Sequence, residues 1–237
     1  MTRKRRTREE TRELLLDAAV RVVLARSNGD VDGSTNPLAG VRITDALEEV
    51  NRLLRDRDRS APQMTTGAAY NIWPSQEEFQ QALLDKILLD AATPEIDRVK
   101  AELDSGLRQG LDWRELVTRC FGVDFEVSYE EPTMFLMIGM TALAPPQRLS
   151  TMNKESNERY LAETGAILHR ILEHGGRHMA PGLTVDDLVW AIEAIESGYM
   201  LRRRAEVDVT DRKINGHTVV QSAILAVAED FTVDASA

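Results

Sequence analysis

The chain has 237 residues, a single cysteine, and 29 basic against 39 acidic side chains, for a formal net charge of −10. That length supports one large or two modest domains, and a lone Cys120 excludes an intramolecular disulfide. The first residues are basic with no apolar run behind them, and no later stretch approaches the roughly 18 apolar residues of a membrane span. The expectation is therefore no signal peptide, no membrane partner and a reducing, cytoplasmic setting.

The acidity is unevenly spread: residues 1–90 hold 14 basic and 15 acidic side chains, and the remainder holds 15 and 24. Arg3, Lys4, Arg5, Arg6 and Arg8 precede any acid, a positive arm of the kind that phosphates attract, or else a solvated tail. Thr7 with Glu10 forms a capping box. Leu14, Leu15, Ala18, Ala19, Val22 and Val23 then recur at helical spacing, which predicts a first helix ending near Arg26. Ser27 to Pro37 is loop chemistry. Ile43, Ala46, Leu47, Val50, Leu53 and Leu54 predict a second helix. From Asn51 to Ala61 four arginines crowd in. Arg52, Arg55 and Arg59 share a face if the helix continues, available to a phosphate backbone or to Glu48, Asp56 and Asp58 on a solvated helix end. Pro62 ends whatever precedes it.

Thr65 to Ile72 reads as a helix of barely two turns, poor in bulky side chains and stopped by Trp73-Pro74. Ser75 with Glu78 caps the next helix, with Pro74 and Phe79 at the positions of a hydrophobic staple. That helix, Gln76 to Ala92, turns Phe79, Leu83, Ile87, Leu88 and Ala91 inward. Later helices are predicted from Glu95 to about Gly110, from Asp112 through Phe125, and from Pro132 to before Pro145. Others run from about Thr151 to His174, from Thr184 past Leu201, and from about His217 to Phe231. No strand is predicted, so the expected fold is all-α with nine or so helices.

Three short N-terminal helices, a basic arm ahead of them and a long connecting helix resemble the TetR family of transcriptional regulators. The resemblance covers the whole architecture and is specific in Thr65 to Phe79. There Thr65, Ala68, Ala69, Tyr70, Pro74, Ser75, Glu77 and Glu78 keep the family's spacing, while Trp73 replaces its aromatic, Gln76 its lysine and Phe79 its leucine. The link from Ser27 to Gly40 is longer than the family's, and Asn51 to Ala61 enlarges its tight turn before the recognition helix. The resemblance implies a helix-turn-helix DNA-binding domain over residues 1–75 and a helical ligand-binding and dimerisation domain over 76–237. It also implies a homodimer on a palindromic operator, usually a repressor, released by a small molecule, with no cofactor.

The residues suit that role chemically. A recognition helix brings its N-terminal residues to base edges in the major groove. Gly67, Ala68 and Ala69 permit close approach, and alanine methyls can touch thymine methyls. Thr65 is expected to cap the helix and bond a phosphate, Thr66 to meet a base or phosphate, and Tyr70 to bond a phosphate. Asn71 and Gln63 are the nearby amides. Thr44, Arg55, Arg59, Gln76 and the arm residues Arg3, Lys4, Arg5 and Arg6 complete the candidate DNA contacts. With no Arg or Lys in the short helix, guanine reading is weak, so specificity needs two half-sites and the arm in an adjacent groove.

In the C-terminal part the resemblance implies a pocket between the helices starting at Glu95, Trp113 and Pro132. Its candidate walls are Phe121, Phe125, Tyr129, Met134, Met137 and Met140, residues that serve equally as plain core. The dimer candidates are Ile192, Ile195, Tyr199, Val220, Ala223, Ile224, Val227 and Phe231 from the last two long helices. An enzyme is the weaker reading. Glu173, His174 and His178 are interrupted by Gly175-Gly176 and lack a thiolate, so no metal is expected, and no nucleophile elbow, P-loop or dinucleotide fingerprint appears. A helical adaptor binding protein through its acidic half is the other alternative.

Overall fold

The computed structural model describes residues 6–27, 41–92, 96–143, 154–206 and 208–235. They are overwhelmingly helical and form two compact units, residues 1–90 with 135–140, and 91–134 with 141–237. The division by contacts thus falls within the last turn of the long connecting helix, at 90/91, and not at the expected 75/76. The reason is packing: Phe79, Leu83 and Ile87 of that helix are part of the first unit's core.

In the first unit α1 spans Arg8–Ser27, α2 Ile43–Arg57, α3 Thr66–Tyr70 and α4 Gln76–Ala92. The expected capping box is complete at Thr7, and at Ser75 the forward half of it is made. Glu10 N–H donates to Thr7 Oγ1 at 3.1 Å and Thr7 N–H to Glu10 Oε2 at 2.7 Å. Glu78 N–H donates to Ser75 Oγ at 3.2 Å. Phe79 is held less by Pro74, which is exposed, than by Trp73, whose ring meets it edge-on at 5.2 Å and 72°, a pairing worth about 1 kcal/mol beyond burial. Leu15, Leu16, Ala19, Val23, Ile43, Ala46, Val50, Ala69 and Trp73 close the core with Leu136. Within the Asn51 to Ala61 segment α2 continues to Arg57, and the connection to α3, residues 58–65, is still longer than the turn of about 3–4 residues in a tight helix-turn-helix. Most of the preceding link, residues 28–40, lies outside the described residues.

In the second unit α5 spans Ile96–Gln109, α6 Trp113–Glu130, α7 Pro132–Leu143 and α8 Lys154–His174, followed by α9 Val185–Ala205, the short α10 Asp208–Asp211 and α11 Val219–Asp230. The middle of α7, residues 135–140, belongs with the first unit. Two small antiparallel ladders interrupt the helices, contrary to expectation. The first pairs β1 Arg177–Met179 with β4 Thr232–Asp234, and the second pairs β2 Lys213–Ile214 with β3 His217–Thr218. The second is a hairpin turned by Asn215 and Gly216 at φ 52° and 92°, the left-handed pair that a two-residue type I′ turn requires. In the first, Arg177 donates to Thr232 O at 2.6 Å and Asp234 Oδ1 at 2.8 Å while its guanidinium lies 4.4 Å over the Trp113 ring. The end of the described chain is thereby bound to the start of α6 and the end of α8.

α11 is seated by one glutamine. Gln221 N–H and Oε1 complete a capping box with Thr218, and Nε2 donates to Thr118 O at 2.9 Å in the middle of α6. Gly122 makes this possible, because a Cβ there would collide with the Gln221 amide. Among the described residues no helix is long and apolar enough to cross a membrane.

Candidate nucleic-acid interface

The short helix α3 sits on a firm base and keeps a bare outer face. Met64, Ala69, Ile72 and Trp73 are buried, whereas Thr65, Thr66, Gly67, Tyr70 and Asn71 are exposed and Ala68 is half-buried. Tyr70 shows 43% of its surface, against the usual preference of its ring for burial. Thr65 caps the helix, accepting from Ala68 N–H at 3.2 Å. Ala69 is committed to the core, which corrects its expected thymine contact. Gly67 is bare without a packing reason: a Cβ there would meet only Thr65 Oγ1, at 3.9 Å. Glycine on an open helical face costs about 1 kcal/mol relative to alanine, and no packing contact in the fold requires it here.

Two amides that look like surface chemistry in the sequence instead build the platform. Asn51, in α2, is buried and clamps the chain just before α3. Its Nδ2 donates to Met64 O at 3.0 Å, and Met64 N–H donates to its Oδ1 at 2.7 Å. Gln76 does the same for the start of α2, donating to Val41 O at 2.8 Å and accepting from Ile43 N–H at 3.1 Å. Its assignment as a DNA contact is corrected, since both ends of its amide face the protein.

The arginines divide. Arg52 is held by Glu49 at 2.7 Å and Asp56 at 2.9 Å, the solvated-helix-end alternative with Glu49 in place of Glu48. Arg55, Arg57 and Arg59 are exposed and have no ion-pair partner among the described residues. Arg59 lies past the end of α2 and so leaves the helical face expected for it. Beside α3 runs an open groove of about 850 Å³ whose lining includes Arg6, Arg8, Arg57, Gln63, Thr65 and Asn71. Arg6 is brought to it by a 3.4 Å bond to Pro62 O. Arg8, a member of the basic arm, and Arg57, which sequence reasoning left out of the site, both line it. Thr44 is exposed at the start of α2, and Arg3, Lys4 and Arg5 lie outside the described residues.

The expected ligand walls belong to both units. Phe121, Phe125 and Met134 are buried in the second unit, Met137 is half-buried and belongs to the first, and the side chain of Met140 lies outside the description. Phe125 and Tyr129 stack on each other at 6.4 Å, and Arg203, paired with Glu126 at 2.8 Å, lies 4.3 Å over the tyrosine ring. Phe125 also edges a small cavity of about 110 Å³ beside Glu126 and Gln221. His174 is structural, 2.9 Å from Leu111 O, and among the described residues no cluster suits a metal. Cys120 is fully buried, and burial together with the Glu102 carboxylate pushes its thiol up to about 12. A disulfide reagent is therefore expected to label Cys120 at least about 100-fold more slowly in native than in urea-unfolded protein, because only the thiolate reacts; comparable rates in an absorbance assay would refute this.

The dimer candidates also divide. Ile192, Val220 and Ile224 are buried within the single chain and cannot face a partner, so their assignment is corrected. Ile195, Tyr199, Ala223, Val227 and Phe231 are half-buried. The face of α9 left open is a different one: Trp190, Ala194, Gly198 and Leu201, all exposed, with Ala226 of α11 exposed as well. No protein-family model matches the sequence, and comparison with curated proteins returns no significant match.

Proposed function

We propose that this protein is a DNA-binding transcriptional regulator of the TetR type, probing the major groove with α3 of a helix-turn-helix formed by α2 and α3. The observation that carries this reading is the bare face of α3, with Thr65, Thr66, Gly67, Tyr70 and Asn71 exposed on a base locked by Asn51. Arg55 and Arg57, without ion-pair partners among the described residues, and the basic lining of the neighbouring groove supply phosphate partners. The open apolar face of α9 supports a homodimer, since small residues flanked by Trp190 and Leu201 allow a second helix to approach closely. Two copies of α3 on a palindrome then supply the specificity one copy lacks. Repression and release by a small-molecule ligand are the regulatory mode we assign to it.

Selection from random duplex DNA at low salt tests the reading, with enrichment of a palindrome expected. Gly67→Leu is expected to fold normally, because the site has room, yet to lose at least about tenfold in affinity for the selected duplex. If no sequence is enriched, the reading fails in favour of a helical adaptor without sequence-specific DNA binding. If Gly67→Leu binds like the parent, α3 is not the reading element.

A further inference from the structure

Three helices of the second unit each carry a polar side chain where the buried stripe calls for an apolar one. On α6, Asp124 follows Val117 and Phe121 at helical spacing; on α8, Thr164 precedes Ile167, Leu168 and Ile171; on α9, Glu196 lies between Ile192 and Met200. The three helices pack on one another. Asp124, Thr164 and Glu196 are 6%, 1% and 4% exposed, so the polar groups are deep. Among the described residues Glu196 Oε1 has no hydrogen-bond partner, while the Thr164 hydroxyl has the Tyr160 hydroxyl beside it. The Tyr160 hydroxyl, one turn before Thr164, lies within the field of Glu196, Asp124 and Glu193. The Tyr160 ring stands 6.0 Å from Trp190, which is 38% exposed, so the layer reaches the surface along an aromatic edge.

Buried carboxylates are ordinarily found with a counter-charge, and no basic side chain among the described residues pairs with Asp124 or Glu196. A divalent metal is not the missing charge, because among the described residues no group of His, Cys, Asp and Glu is arranged to hold one. An arginine from a second copy is not it either. Glu196 lies on the buried side of α9, away from the exposed Trp190, Ala194, Gly198 and Leu201. What remains is a buried carboxylate oxygen of Glu196 lacking a donor, a negative field from Asp124 beside it, and aromatic rings at the rim, which attract cations through their faces.

We propose that the seam between α6, α8 and α9 binds a small organic cation that carries N–H donors on an aromatic or apolar body, such as a primary ammonium or an amidinium. Glu196 and Asp124 supply the counter-charge, Thr164 and Tyr160 the neutral hydrogen-bond partners, and Trp190 the surface against which the apolar body rests. Binding stands apart from the DNA-reading function; only the use of the cation as a release signal rests on that reading.

Calorimetric titration of the full chain, without DNA, tests this with benzylammonium and benzamidinium as probes and benzyl alcohol as the neutral analogue. One cation is expected to bind per chain, raising Tm, at least about tenfold more tightly than the alcohol. Glu196→Gln is expected to weaken cation binding at least about tenfold while raising the Tm of the ligand-free protein, which shows the fold intact. Equal binding of cation and alcohol, or unchanged affinity in Glu196→Gln, overturns the proposal. So does the absence of binding at up to about 5 mM with Tm still raised by Glu196→Gln, which would leave the layer holding a proton only. Since no arm contains DNA, failure to find an operator leaves each outcome readable.

Discussion

An Asn51→Ala chain is expected to lose about 2–4 kcal/mol of first-unit stability, the cost of leaving two buried backbone groups unpaired. Met64 is buried, and its N–H and C=O both close on one amide, at 2.7 Å and 3.0 Å. Alanine leaves both Met64 groups without a partner and opens a small void. Asn51→Leu fills the void but still strands both groups, so it separates the hydrogen bonds from the packing. Asn51→Asp keeps the acceptor for Met64 N–H, loses the donor to Met64 O and places a charge in a dry site. All three are expected to destabilise, with leucine recovering about 1 kcal/mol relative to alanine. Because residues 58–65 make the whole connection to α3, loosening Met64 also frees the segment that orients it. Hydrogen exchange at the Met64 amide, with urea unfolding, is the measurement. Loss of less than about 0.5 kcal/mol, or an unchanged exchange rate at Met64, would show that the apolar contacts of Ala69, Ile72 and Trp73 hold the segment alone.

The same residue shows what was and was not legible in the sequence. Helix starts were readable because capping is a local code: Thr7 with Glu10, Ser75 with Glu78, Thr184 with Asp187 and Asp112 with Glu115 each announce themselves over three residues, and each bond is made. The shape and exposure of α3 were readable because small residues and a Trp-Pro stop leave few alternatives. Asn51 was not, because polar residues are normally exposed and its partner Met64 is thirteen positions away. The arginines around it reinforced the error by making a continuing helix look like a surface insertion. Gln76 failed for the same reason, with its partners at Val41 and Ile43. On α9 periodicity could not choose a face, because Ile192 on one side and Trp190, Ala194 and Leu201 on another are all apolar. Only the packing against α6, α8 and α11 decides. One signal was present and passed over: Asn215-Gly216 is the strongest short-range mark of a hairpin, and the β2–β3 ladder stands on it.

Lowering the pH from 8 to 5 is expected to stabilise the second unit by about 2–4 kcal/mol, at about 1.4 kcal/mol for each unit of pKa shift. Burial raises Asp124 from 3.8 to about 7, and burial with the neighbouring Asp124 and Glu193 carboxylates pushes Glu196 well above the usual range. The sign follows from the proton count. Between about pH 4 and 7 the folded chain keeps a proton that the unfolded chain has released, so stability falls as pH rises through that window. Glu193 adds negative charge to the same layer, with Ser197 Oγ donating to it at 2.9 Å, and Tyr160 faces the layer from α8. Neither supplies a positive charge to offset the trend. Asp124→Asn with Glu196→Gln should therefore leave stability nearly unchanged only below about pH 4, where the carboxyls are neutral in both folded and unfolded chains, and should raise it more at pH 8 than at pH 5. In a thermal series this reads as a Tm several degrees higher at pH 8 and a flattened pH profile, since about 1 kcal/mol moves Tm by roughly 2–4 °C in a chain of this size. A parallel upward shift at both pH values would point to better packing by the amides rather than to removal of charge. An unshifted profile would mean that the carboxyls titrate near their ordinary values and that the layer is wet. The two outcomes also bear on ligand chemistry, because a seam that dislikes its own negative charge at pH 8 is one in which a cation gains most by binding.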